Sequence, residues 1–117
     1  STDNKNILLT ERGTTFGYEN LVTDVRSISM MQKTGYPVIF DATHSAQMPG
    51  KIGNITGGTR DYVPVLACAA TAAGCNGIFL EVHDNVDEAK SDAATQWPLD
   101  KLSDLLKTLK EIHQAIQ

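Results

Sequence analysis

Three short apolar runs punctuate the chain: Ile7-Leu8-Leu9, Val38-Ile39-Phe40 and Ile78-Phe79-Leu80. Each is continuous rather than alternating, the pattern of a strand buried on both faces in a parallel sheet. They predict strands near residues 6–10, 37–42 and 77–82. Each run gives way to polar residues (Thr10-Glu11-Arg12, Asp41-Ala42-Thr43-His44 and Glu81-Val82-His83-Asp84), and then to a loop and a helical pattern.

The first helix is predicted from about Asn20 to Thr34, with Leu21, Val22, Val25, Ile28 and Met31 at helical spacing and Gly35 suited to the position after its end. The second runs from about Asp61 to Ala73. Pro64 falls in its first turn, where a missing N–H costs nothing, and Gly74 closes it. It is apolar nearly all round, so it is expected to be buried, partly in a subunit contact. The third starts near Pro98, with Leu99, Leu102, Leu105, Leu106, Leu109, Ile112 and Ile116 as one stripe. The pattern is therefore three βα units with parallel strands in neighbouring places of one sheet. Three such strands cannot close a barrel, which takes about 250 residues. A three-stranded parallel sheet with open edges is a poor domain by itself. The 117 residues are expected to be a single partial domain.

Tyr62 to Leu80 is a nineteen-residue stretch without a charge. Gly74-Cys75-Asn76-Gly77 divides it into an Ala-rich helical half and a strand half, which argues against a membrane span. The polar N-terminal residues carry no apolar h-region, so no secretory signal is expected. Ten Lys and Arg stand against fourteen Asp and Glu, net −4, with no basic stripe to favour nucleic acid. Cys68 and Cys75 lie in apolar surroundings and are read as core fillers, which fits a reducing cytoplasm.

Parallel α/β folds place their chemistry at the C-terminal ends of strands. Here those ends hold Arg12, His44 and Glu81, and Asp92 follows Glu81 by eleven residues. A His, a Glu and an Asp converging there would suit a divalent Zn, Fe or Mn ion. The alternative is a hydrogen-bonded core histidine with carboxylates that cap helices. Arg12 suits a phosphate or carboxylate fork, or a salt bridge to Glu11 or to a neighbouring loop. The loop from Pro49 to Gly58 is rich in glycine and is expected to be mobile without substrate; it either closes over a ligand or merely connects. His83 and His113 have no evident role.

Thr10-Glu11-Arg12-Gly13-Thr14-Thr15-Phe16-Gly17-Tyr18, Phe40-Asp41-Ala42-Thr43-His44-Ser45, Gly57-Gly58 and Glu81-Val82-His83 resemble, in order and spacing, the 3-deoxy-D-manno-octulosonate 8-phosphate synthase family. That family is also called 2-dehydro-3-deoxyphosphooctonate aldolase. The resemblance covers essentially the whole chain and matches the last three βα units of the family's (β/α)₈ TIM barrel. It implies a cytoplasmic transferase, usually a homotetramer. The enzyme condenses phosphoenolpyruvate with D-arabinose 5-phosphate, releases phosphate, and so supplies a lipopolysaccharide precursor. It also implies that Arg12 binds phosphoenolpyruvate, that His44, Glu81 and Asp92 are metal ligands, and that His44 and Asp92 are catalytic. Thr56 stands where the family often has a serine that contacts the sugar phosphate across a subunit boundary. The metal-dependent branch adds a cysteine from its first strand, which neither Cys68 nor Cys75 replaces; Ser91-Asp92-Ala93-Ala94-Thr95-Gln96 looks like that branch. The lysines for phosphoenolpyruvate and the Asn-Arg-Ser element of the family belong to units absent here, so this chain alone is expected not to turn over. Two alternatives remain: a sister synthase that uses erythrose 4-phosphate, and an inactive half-barrel that acts only in assembly. The Asp41–Ser45 stretch and the eleven-residue gap favour the first reading.

Overall fold

The structure, a computed structural model, describes residues 2–15, 20–48 and 59–117. Strands β1 (Leu9–Glu11), β2 (Val38–Asp41) and β3 (Gly77–Phe79) form one parallel sheet in the order β1-β2-β3. Leu9 stands opposite Val38, and Phe40 opposite Ile78. The three predicted strands are therefore present, parallel and adjacent. Each lies behind a helix or ahead of one: α1 (Arg26–Gln32), α2 (Tyr62–Ala72) and α3 (Leu102–Ala115).

Burial on both faces holds for β2 alone. Val38 and Phe40 are fully buried and Asp41 nearly so. At β1 and β3 the same apolar character meets solvent: Ile7 and Leu8, just ahead of β1, and Phe79 of β3 are exposed. The reason is topological. β2 has a neighbour on each side, whereas β1 and β3 each have one unpaired edge among the described residues. The core gathers on the helix side of β2, where Ile28 of α1, Val63, Ala67 and Ala70 of α2, and Leu105 and Leu109 of α3 pack on Val38, Phe40 and Ala42.

The first helix is shorter than its periodicity suggests. Val22 does not join it but exchanges two 2.9 Å main-chain hydrogen bonds with Thr14, an antiparallel bridge that holds residues 20–25 out of the helix. Gly35 closes the turn that follows α1 at φ +88°, as its place implied. The second helix has its predicted bounds to within a residue. It is not buried all round, since Tyr62 and Val65 are exposed. The third begins after a single turn of 3₁₀ helix at Leu99–Lys101. Among the described residues no helix is long and apolar enough to cross a membrane.

A second, two-stranded parallel ladder was not foreseen. Strand β4 (Val82–His83) pairs with β5 (Trp97–Pro98), Val82 opposite Trp97. Two residues per strand carry no periodic signal, so only the tertiary pairing reveals it. The Trp97 amide also donates to the Glu81 carbonyl at 2.9 Å. This ladder folds the loop after β3 back across the end of the sheet.

Candidate metal centre

His44, Glu81 and Asp92 meet at the C-terminal end of the sheet. One ligand atom from each lies within 4.8 Å of the others. His44 Nε2 is 3.3 Å from Glu81 Oε1 and 3.6 Å from Asp92 Oδ2. Atoms bound tetrahedrally at 2.0–2.2 Å from a zinc ion lie about 3.4 Å apart, so these spacings fit one shared ion. All three side chains are partly buried.

Asp41, the last residue of β2, organises the imidazole. Its Oδ1 accepts the amides of Thr43 at 3.1 Å and His44 at 2.9 Å, and its Oδ2 faces His44 Nδ1 at 2.7 Å. A carboxylate there makes Nδ1 the protonated nitrogen and leaves the Nε2 lone pair facing Glu81 and Asp92. The ring also stacks on Phe79, centroids 6.0 Å apart. Among the described residues no Lys or Arg pairs with Glu81 or Asp92. A ring nitrogen and two carboxylates turned toward one another form a mixed donor set that one divalent ion can bridge. His44 is hydrogen-bonded to Asp41, as the alternative reading expected, and its Nε2 faces the two carboxylates, as a metal site would require.

The other two residues of the triad are placed by hydrogen bonds and backbone geometry. The Glu81 amide donates to Thr43 Oγ1, fully buried, at 2.8 Å. Asp92 sits at φ +51°, the only non-glycine with positive φ among the described residues, a backbone that costs on the order of 1–2 kcal/mol. Its Oδ1 accepts from the side-chain Nε2 of Gln47. Asp41, Thr43, Gln47 and Phe79 therefore support the centre, and sequence reasoning gave them no part. The Asp41–His44 spacing of three was a usable signal, because it allows a carboxylate to reach both the His amide and its ring.

Arg12 follows β1, on the same end of the sheet as His44 and Glu81. It is exposed and makes no ion pair among the described residues. The salt bridge to Glu11 does not form; Glu11 accepts instead from the Gly13 amide at 2.7 Å and from the Ser27 hydroxyl. Thr56 and the loop from Pro49 to Gly58 lie outside the described residues, as do residues 16–19 of the first motif. Among the described residues His83 and His113 bond to near neighbours, His83 Nδ1 to Asp84 and the Asn85 amide, and His113 to Gln117. Cys68 and Cys75 are free thiols; Cys75 belongs to the core and Cys68 packs against it, and burial pushes the Cys75 thiol above its ordinary value.

The fold and the site together define an α/β protein with a parallel sheet and a candidate metal-binding triad at its C-terminal edge. Comparison with known proteins narrows it. The model of the DAHP synthetase I family matches residues 1–117, and the chain belongs to that family. It is 52% identical over 117 residues to 2-dehydro-3-deoxyphosphooctonate aldolase of Coxiella burnetii (strain RSA 493 / Nine Mile phase I), which covers 100% of this chain and 42% of that protein. It is 54% identical over 114 residues to the protein of the same name from Protochlamydia amoebophila (strain UWE25), covering 97% and 42%. For the one from Alkalilimnicola ehrlichii the figures are 51% over 114 residues, 97% and 41%. The chain thus spans about two fifths of the length of these curated relatives.

Proposed function

We propose that this chain is the C-terminal portion, the last three βα units, of a (β/α)₈ barrel that acts as a 3-deoxy-D-manno-octulosonate 8-phosphate synthase. The reaction joins phosphoenolpyruvate and D-arabinose 5-phosphate and releases phosphate. The observation that carries this reading is the meeting of His44, Glu81 and Asp92 at the strand ends, with His44 oriented by Asp41. The name shared by relatives at about half identity agrees with it.

In this reading His44, Glu81 and Asp92 hold a divalent Zn, Fe or Mn ion. When bound it supplies Lewis-acid chemistry toward the aldehyde or a water. Asp41 keeps the proton on Nδ1, so Nε2 stays a donor of electrons. Asp92 and Glu81 bring the negative charge that holds the cation in a partly buried place. His44 and Asp92 are the catalytic residues. Arg12 grips the carboxylate or phosphate of phosphoenolpyruvate with its fork of N–H groups. Thr56 contacts the sugar phosphate of a neighbouring subunit in a cytoplasmic homotetramer. C3 of phosphoenolpyruvate forms the new bond to the aldehyde carbon, water adds at C2, and phosphate departs. The remaining binding groups come from the part of the barrel outside this chain, and the chain by itself does not turn over.

A second reading has its own support, because the family description names a DAHP synthetase: the sugar phosphate would then be erythrose 4-phosphate. One experiment separates them. The complete protein that carries this segment is given phosphoenolpyruvate with either sugar phosphate, and phosphate release is measured before and after a strong chelator. Release with arabinose 5-phosphate, lost on chelation and restored by Mn²⁺ or Zn²⁺, is the expected result. A preference for erythrose 4-phosphate moves the chain to the sister synthase. No release with either sugar overturns the enzymatic reading, and full activity in chelator overturns the metal.

A further inference from the structure

Arg60 spends its charge in an unusual way. It lies just ahead of α2, partly buried, and among the described residues it meets no carboxylate. Its guanidinium reaches across to main-chain oxygens instead: Nε donates to the Gln96 carbonyl at 2.8 Å and Nη2 to the Ala93 carbonyl. A cation aimed at two carbonyls of one short loop makes charge-assisted hydrogen bonds that fix the loop's shape. The loop is itself a closed turn. The amides of Thr95 and Gln96 both converge on the Asp92 carbonyl at 2.9 Å, and Gln96 Nε2 returns to the Ser91 carbonyl at 2.9 Å. Asp92 stands at the start of that turn in a left-handed backbone, which an aspartate adopts more readily than most residues. From there its Oδ2 lies 3.6 Å from His44 Nε2.

We propose that Arg60 is the positioning residue for Asp92: it clamps the 92–96 turn and so presents the third ligand atom to His44 and Glu81. The proposal rests on the metal reading above. It gives a residue from the approach to the second helix a role in a site built from the ends of the second and third strands.

The test compares Arg60→Met, which keeps the stem and removes every donor, with Arg60→Lys, which keeps the charge and loses the fork. Both are made in the complete protein. Affinity for Co²⁺ and Zn²⁺ is measured by titration, using the visible absorption of the Co²⁺ site. Arg60→Met should weaken binding by about 10–100-fold, as the loss of an outer-sphere support does, and Arg60→Lys should recover part of it. In an Asp92→Ala background Arg60→Met should cost nothing further, because the group it positions is gone. Equal losses with and without Asp92 would show a merely structural role and overturn the proposal, as would unchanged affinity in Arg60→Met. Hydrogen exchange of the Thr95 and Gln96 amides in metal-free protein reads the clamp without any ion, and Arg60→Met should speed it. If the unaltered protein binds neither metal, the metal reading fails by itself, and the exchange rates still decide whether the clamp exists; unchanged rates overturn it. Should Arg60→Met not fold, Arg60→Lys carries the same comparison.

Discussion

Asp41 illustrates how one side chain sets the chemistry of another. Its two oxygens do different jobs: Oδ1 closes the turn by accepting two amides, and Oδ2 fixes the His44 tautomer. Asp41→Asn keeps the shape and the acceptor for the turn but replaces Oδ2 with an NH₂ group. That group donates to Nδ1, so the ring proton moves to Nε2 and the lone pair facing Glu81 and Asp92 is lost. The expected outcome is a loss of about 10–100-fold in metal affinity, with little change in thermal stability. Titration with Zn²⁺ against a chelating indicator measures it, and an unchanged affinity would show that Asp41 does not control the tautomer.

At the scale of elements, β2 is the member on which the others depend. Phe40 is fully buried among residues of the core cluster. Phe40→Ala should therefore cost about 3–5 kcal/mol, seen as a fall in the urea midpoint; a loss under 1 kcal/mol would place the core elsewhere. The link from α2 to β3 depends on backbone rather than packing. Gly74 sits at φ +90°, and a Cβ added there would meet nothing within 4 Å. Gly74→Ala should lose about 1–2 kcal/mol for the left-handed backbone alone, with no change in the sheet. Asn76 completes this joint: its main-chain N–H donates to the Val38 carbonyl and its Oδ1 accepts the Val38 amide, both at 2.8 Å. Gln32 of α1 donates to the Gly74 carbonyl at 2.7 Å, so all three units are tied at the bottom of the sheet. The periodicity of α1 ran ahead of its true start because a side-chain pattern does not register the pull of the Thr14–Val22 bridge.

For the whole molecule, the open edges decide behaviour in solution. β1 and β3 each leave one side unpaired among the described residues, and Leu8, Val65 and Phe79 are exposed. Unpaired strand edges flanked by apolar side chains invite pairing with another chain. The isolated 117-residue chain should therefore associate with rising concentration and show no phosphate release. Sedimentation velocity across a hundredfold range of concentration measures the first. A single monomeric boundary throughout would mean that the edges are protected in a way the strand pairing does not show.

The strands, their order of appearance, the second and third helices, and the residues His44, Glu81 and Asp92 were all legible in the amino-acid sequence. Apolar runs and helical spacing act over a few residues, and polar residues just past an apolar run mark the C-terminal end of a strand, where parallel α/β folds place their chemistry. The pattern could not show the β4–β5 ladder, the tautomer set by Asp41, or the reach of Arg60 to the turn that bears Asp92. The ladder and the Arg60 bonds join residues far apart in the chain and leave no local period to read. Asp41 and His44 are near neighbours, whose spacing permits the contact without fixing how the ring turns. Which strands are buried on both faces was also left to the tertiary structure. That depends on how many neighbours each strand has, and three equally apolar runs give no sign of which one stands in the middle.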